Sequence, residues 1–304
     1  MNKYFPEGEL GRCPQNSAEA MEYMKQGAIC EALCIICTGE HDLIVDMGFM
    51  RGRIPRIEGA VGIEEGTTRD IALISRVNKP VAFIITGFET DSNGNTVAVL
   101  SRRKAQQECL DNYISGLRCG DIINSRVTHM EQFGALVDIG CGIPSLIPID
   151  HISVSRISHP SDRFVNGQPI KAVVKSIEDG KITLSHKELL GTWQENADNY
   201  GIGETVTGIV RSIESYGIFV ELCPNLAGLA ESKPDITVGC KVSVYIKAII
   251  PEKMKIKLVI VDKFENEIKE KPADFRYYIT SGRLETWNYS TESSPKVIMT
   301  DFRN

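Results

Sequence analysis

Cys30, Cys34 and Cys37 lie in the stretch CEALCIIC at a C-x3-C-x2-C spacing. Three thiolates can hold an iron–sulfur cluster, so redox chemistry is the first candidate this spacing raises. His129, His151, His159 and His186 share one central segment, but their separations match no metal-ligand pattern. RGRIPR, with Arg51, Arg53 and Arg56, is a short basic run suited to a phosphate backbone or an acidic partner, and as a surface run it is expected to be a solvated loop. No glycine-rich phosphate loop, paired-carboxylate metal site or nucleophile with its base is found along the chain. What the three sulfurs do depends on the elements that carry them.

At 304 residues the chain has room for two or three domains, each burying its own core. No apolar run approaches the ~18 residues of a membrane span, and the N-terminal residues lack a secretory pattern. Nine cysteines at scattered spacings do not form a framework of bridges, and a reduced, cytoplasmic protein is expected. The net charge of −6 by itself argues against a polyanion partner, but its distribution does not. Residues 27–105, 117–190 and 201–263 carry −1, 0 and +1, so the acidity belongs to the arm, connectors and tail.

Those three segments are repeats. GDIINSRVTHMEQFGALVDIG (120–140) and GETVTGIVRSIESYGIFVELC (203–223) align at a constant offset, Ile123 with Val206, Val127 with Val210 and Met130 with Ile213. Near-alternating apolar residues around an internal glycine read as two twisted antiparallel strands with a bulge. Both copies continue to a leucine (146 and 229), a strand after a glycine, and a closing strand, KITLS or KIKLV. Five short strands in about 70 residues is the size of a Greek-key barrel of the oligonucleotide-binding type. A third, weaker copy begins at GAICEALCIICTGEHDLIVDMG and closes with VAVLSRRKA. It places Cys30, Cys34 and Cys37 on the apolar positions of a first strand. The first two sulfurs would then stand roughly 13 Å apart, at ~3.3 Å per residue, too far to share a cluster. The cysteines read as core.

The expected organisation is all-β: an N-terminal arm and helix (1–26), a degenerate barrel (27–105), a helical linker (106–116), a barrel (117–190), a second helical linker (191–200), a third barrel (201–263), and a linker with a C-terminal β-hairpin (264–304). Asn16 with Glu19 predicts a capping box for SAEAMEYMK. Ala105, Cys109 and Tyr113, then Leu189, Trp193 and Ala197, recur at steps of four and predict short amphipathic helices. ENEIKEKPADF reads as a charged linker. RYYIT-SG-RLETWNYS reads as a hairpin, with KVIMTDF as a third strand, packed on the third barrel.

FGALVDIG, LIP, HPSDRF, VNGQPIKAVVKSI and ITLSHKEL, in that order, resemble the S1-type RNA-binding domain named for bacterial ribosomal protein S1. YGIFVEL with GLAE marks the third segment as another member, and the whole chain resembles the short S1-like proteins of low-GC Gram-positive bacteria. The resemblance implies single-stranded RNA (mRNA) binding in translation, near the small ribosomal subunit. In that family two aromatics three apart across the bulge glycine form a platform for bases. Here they are Tyr216 and Phe219; the second barrel has Phe133 with Leu136, and the first has His41 and Ile44. Lys181 or Lys255, opening the last strand, would meet phosphates, with His129 and Arg211 adding contacts. Where the family often has a histidine, this chain has Pro148 and Glu231, and a carboxylate at 231 opposes phosphate.

The expected activity is therefore binding rather than catalysis, with no cofactor, metal, membrane or small-molecule substrate. The second and third barrels take RNA, and the first serves protein contact or spacing. The rival is an interaction scaffold on the ribosome or a ribonuclease complex that makes no RNA contact.

Overall fold

The computed structural model describes residues 4–264 and 275–303; the charged linker expected over 265–275 lies outside the described residues except for Phe275. The first helix, α1 (Ser17–Gln26), is capped by Asn16, whose side chain accepts the Glu19 N–H at 3.0 Å. The Glu19 carboxylate reaches back to the N–H of Gln15 at 2.8 Å, so the reciprocal half of the cap sits one residue earlier than a capping box requires.

The first barrel is β1 (Ile29–Cys37), β2 (Leu43–Asp46), β3 (Arg51–Ile54), a one-turn helix α2 (Ile71–Ile74), β4 (Lys79–Thr90) and β5 (Thr96–Ser101). Helix α3 (Arg102–Asn112) follows, capped by Ser101 and buried through Ala105 and Cys109. The second barrel is β6 (Ile122–Glu131), β7 (Gly134–Asp138), β8 (Pro144–Pro148), β9 (Pro169–Glu178) and β10 (Lys181–Ser185). The five-residue helix α4 (Trp193–Ala197) has a full capping box from Thr192 and Glu195. The third barrel is β11 (Thr205–Glu214), β12 (Gly217–Cys223), β13 (Leu226–Ala230), β14 (Lys241–Ile250) and β15 (Lys255–Lys263). All three barrels close in one strand order, first–second–third–fifth–fourth, so the sequence repeat is a repeat of topology. RGRI, expected as a solvated loop, forms β3.

The cysteine spacing follows from strand geometry. Cys30 and Cys34 are wholly buried among Leu43, Val45, Phe83 and Leu100. Burial pushes their thiols up, to about 12 and about 11. Four residues apart is two full alternations, which keeps both side chains on the inner face. The pairing of β1 with β2 then shifts between Cys34 and Ile36, and the extra residue turns the next inner position from four onward to three. The third barrel repeats the shift between Val210 and Ser212. Cys37 and Ile213 lie opposite the buried Leu43 and Ile218, hence on the inner face, but at the barrel's open end; Cys37 is half-buried and Ile213 is 45% exposed. All nine cysteines are unbridged.

The chain forms two compact units, residues 1–117 with 124–126 and 138–144, and residues 118–123, 127–137 and 145–304. In the first, the N-terminal arm is fastened by a buried charge cluster. The Arg102 Nε and Nη2 donate to the Glu7 carboxylate at 2.7 and 3.1 Å, and Arg76 adds a contact at 3.3 Å. The Glu7 N–H donates to Asp138 at 2.6 Å, and the other Asp138 oxygen accepts the N–H groups of Gly140 and Gly142.

In the second unit the tail is part of the core. The C-terminal hairpin pairs β16 (Thr286–Asn288) with β17 (Met299–Asp301), Trp287 opposite Thr300. RYYIT is not its first strand, because that segment's backbone bonds elsewhere. Within it the N–H of Tyr278 donates to Leu189 O at 2.9 Å, and just beyond it the N–H of Ile122 donates to Gly282 O at 3.0 Å and the N–H of Leu284 to Gly120 O at 2.9 Å. Trp287, Tyr289 and Phe302 share one buried cluster with third-barrel residues such as Val220 and Ile246, and with Val173, Leu189 and Trp193. The tail thus packs against the second barrel as well as the third. Among the described residues no helix is long and apolar enough to cross a membrane.

Candidate nucleic-acid interface

Tyr216 occupies the turn between β11 and β12, and Phe219 the third position of β12. Gly217 lets the turn form. It has φ +149, and a Cβ there would stand 2.6 Å from the Ala230 carbonyl oxygen. Gly134 in the second barrel is equally confined, its Cβ position 2.4 Å from Ile147 O. Both copies need the residue without a side chain, because a neighbouring backbone crosses there. The aromatic before each glycine is left outside the barrel, Tyr216 at 68% exposure and Phe133 at 58%. Tyr216 and Phe219 meet edge-on, centroids 6.1 Å apart at 89°. The contact steadies both rings while leaving a Tyr216 face open to a base.

Register decides which lysine serves the platform. Phe219 pairs with Leu229, and Leu229 with Lys257 across the parallel β13–β15 ladder. Cross-strand partners share a face, so Phe219, Leu229 and Lys257 form one outward row. Lys255, the lysine expected at this site, is exposed but lies two residues earlier along β15, opposite Ile250. The signal for Lys257 was already in the repeat, where Leu229 matches Leu146, yet the strand pairing is needed to use it. In the second barrel Leu146 pairs with Thr183, so the equivalent place is uncharged. There Lys181 and His129 are exposed, the latter 2.9 Å from Glu131. In the first barrel the row is Ile44, Arg53 and Val99. Arg53 is held by Glu89 at 2.7 Å and Asp42 at 2.9 Å. Those two carboxylates raise its pKa further and occupy its donors.

Arg211 is placed differently from the expected phosphate contact. Its Nε binds Glu221, and its Nη1 lies 3.4 Å from Asp162 of the second barrel. Arg163 takes the other Glu221 oxygen at 2.5 Å. Glu221 therefore joins two guanidinium groups, with Arg163 and Glu221 both nearly inaccessible. Arg211 thus helps join the barrels through a partner 49 residues away, which sequence spacing does not display. The four histidines are dispersed as well. His186 is buried between Ile152 O and the Tyr277 hydroxyl, and burial pulls its pKa down to about 4. His159 caps a short turn through Ser161. Among the described residues no group of three or more histidine, cysteine or acidic side chains is placed to hold a metal ion.

Three barrels of one strand order, with an exposed aromatic beside a turn glycine in two of them, define a tandem array of the oligonucleotide-binding fold. Residues 117–187, the span of the second barrel, match the family described as "S1 RNA binding domain". The chain is 29% identical over 231 residues to the small ribosomal subunit protein bS1 homolog of Bacillus subtilis, covering 74% of this chain and 57% of that protein. It is 32% identical over 194 residues to the small ribosomal subunit protein bS1 of Leuconostoc lactis, covering 62% and 43%. The chain thus spans about half the length of the curated relatives it matches. A solved multidomain protein with nucleic acid binding domains from Streptococcus pneumoniae is 13% identical, with a TM-score of 0.25 over 78% of this chain and 74% of that one.

Proposed function

We propose that this chain binds single-stranded RNA through its second and third barrels and acts in translation at the small ribosomal subunit. The observation that carries the reading is the Tyr216–Phe219 pair, solvent-facing at a turn the second barrel repeats and in line with Lys257. Stacking on such rings tolerates any base and is worth roughly 1–3 kcal/mol per base. The S1 match over 117–187 and the similarity to small ribosomal subunit proteins support the same assignment. The first barrel has no aromatic platform, and Arg53 is committed to two carboxylates, so it serves contact or spacing.

The test is a Tyr216→Ala, Phe219→Ala double variant titrated against a fluorescent single-stranded RNA. Affinity should fall by at least tenfold while the circular dichroism spectrum is retained. An unchanged affinity in the folded variant would remove the third barrel from the site. A scaffold without RNA contact would bind its partner with little salt dependence, whereas lysine–phosphate binding weakens steeply as salt rises.

A further inference from the structure

The outer face of the third barrel continues past Lys257. Strand β15 pairs with β13 on one side and with β14 on the other. The β14–β15 register shifts between Ile246 and Ala248, so Lys247 and Ala248 together stand opposite Lys257. Lys247 and Lys257 are both exposed, on strands about 4.8 Å apart. Like charges facing each other across a ladder repel. Yet among the described residues neither lysine has a carboxylate partner, nor does Lys255 two residues earlier on β15.

An aromatic ring flanks this pair of cations. Tyr245 lies two residues before Lys247, between the buried Val244 and Ile246, and is 39% exposed. Neither its ring nor its hydroxyl has a partner among the described residues. Its cross-strand partner Val259 and the next outward residue, Val261, are exposed and extend the apolar surface beside it. Glu231, just past β13, and Glu252, in the β14–β15 turn, border this face without pairing to a lysine. Across the ladders the order is Phe219, Leu229, Lys257 and Lys247, with Tyr245 the next outward residue on β14. Three ladders at about 4.8 Å place Lys247 roughly 14 Å round the barrel from Phe219.

We propose that the nucleic-acid site of the third barrel extends round to β14, where Lys247 and Lys257 share a phosphate and Tyr245 stacks a further base of the same single strand. The inference rests on the RNA-binding reading and deepens it: the Tyr216–Phe219 platform holds one end of the strand and Tyr245 the other. A phosphate between the two ammonium groups removes their mutual repulsion, which an apolar protein surface would not do. A path of this length stays within the ~4–16 nucleotides that one barrel of this fold occupies.

The full chain is titrated by anisotropy with a fluorescent 12-nucleotide oligouridylate across a salt series. Tyr245→Leu removes the ring and keeps the position apolar, Tyr245→Phe restores the ring, and Lys247→Gln removes one charge. Tyr245→Leu should bind about tenfold more weakly than the native chain, as losing one stacked base would, and Tyr245→Phe should bind as the native chain does. Lys247→Gln should make the slope of log K against log salt shallower by about 0.7, one phosphate contact on a single strand. It also carries the test if Tyr245→Leu fails to fold. Native affinity and native salt slope in Tyr245→Leu and Lys247→Gln would overturn the proposal. A loss in Tyr245→Leu that Tyr245→Phe does not rescue would mark a packing defect instead of a stacked base, and would overturn it equally. The Tyr216→Ala, Phe219→Ala variant separates this inference from the reading beneath it. If that variant loses RNA binding while the β14 variants keep it, the platform stands and the extension falls; if the native chain binds no RNA, both fall.

Discussion

Phe219 and Lys257 stand on one cross-strand row, whereas Lys255 belongs to the next outward row toward the start of β15. A base stacked on the platform therefore brings its phosphate closer to Lys257. Lys257→Gln should weaken single-stranded RNA binding several-fold and make the salt slope shallower by about 0.7, with a smaller effect from Lys255→Gln. Equal effects from the two lysines, measured by anisotropy across a salt series, would show that charge alone matters and position does not. At this scale the sequence carried the rings well. Phe133 and Tyr216 are outside their barrels because the glycine after each forces a turn that a repeat comparison makes visible. It carried the cations less well. Lys253, Lys255 and Lys257 alternate identically, and only pairing with Leu229 distinguishes one of them. Arg211 looked available because its partners, Glu221 and Asp162, lie in other strands and another barrel.

Individual elements were legible where their own residues decide their form. The N-cap of α1 and the burial of Cys30 and Cys34 follow from local alternation and from side chains within three residues, and the barrel class from the repeat of five short strands. RYYIT misled because its groups bond the second barrel instead of a hairpin partner: the Tyr278 N–H donates to Leu189 O, and the Tyr277 hydroxyl accepts the Lys171 N–H. The buried arm cluster was equally hidden, since Glu7, Arg102 and Asp138 are far apart in sequence. Its energetics make a pH prediction. Burial raises the Asp138 carboxyl, and the Glu7 charge raises it further, to about 7, against the pull of three backbone N–H groups and Arg102. Burial alone would raise Glu7 too, but the charges and hydrogen bonds of Arg102, with Arg76, hold it below its ordinary range. For Asp138 the folded state keeps a proton that the unfolded chain releases near pH 4. Its contribution is therefore complete below pH 4 and is lost as pH rises through about 7. In native protein, stability relative to an Asp138→Asn variant should decline over that window, by at most about 1.4 kcal/mol per pH unit. Parallel urea-unfolding profiles for the two proteins between pH 4.5 and 7.5 would show instead that Asp138 is charged throughout. Glu7 acts in the opposite sense, removing stability as pH falls through its lowered pKa.

Across the whole molecule, linked weak sites gain from effective concentration, so two barrels of modest affinity can hold a strand that neither would hold alone. That gain is greatest when the second and third barrels are held at a spacing one strand can span, and the tail supplies much of the joint. Trp287 and Tyr289 lie 5.7 Å apart within a cluster that includes Trp193 from α4 and Val220 from β12. The Tyr289 hydroxyl donates to Asn225 O, while the Asn225 side chain binds Val154 N–H at 2.8 Å and Lys187 O at 2.7 Å in the second barrel. Lys175 of β9 lies over the Phe302 ring at 5.2 Å. The aromatic content of the tail announced a packed segment, but only its contacts reveal that it joins two barrels. The chain has two tryptophans, Trp193 and Trp287, and both are in this one compact unit. In a Trp287→Ala variant the fluorescence of Trp193 is therefore a clean reporter of that unit. Removing a fully packed indole should cost about 3–5 kcal/mol and move the Trp193 transition to markedly lower denaturant. RNA affinity measured below that transition should fall as well, because the barrels lose their fixed spacing while Tyr216, Phe219 and Lys257 are untouched. A Trp193 transition at its native midpoint would mean that the tail is an ornament on the third barrel and that the register of the second and third barrels is set elsewhere.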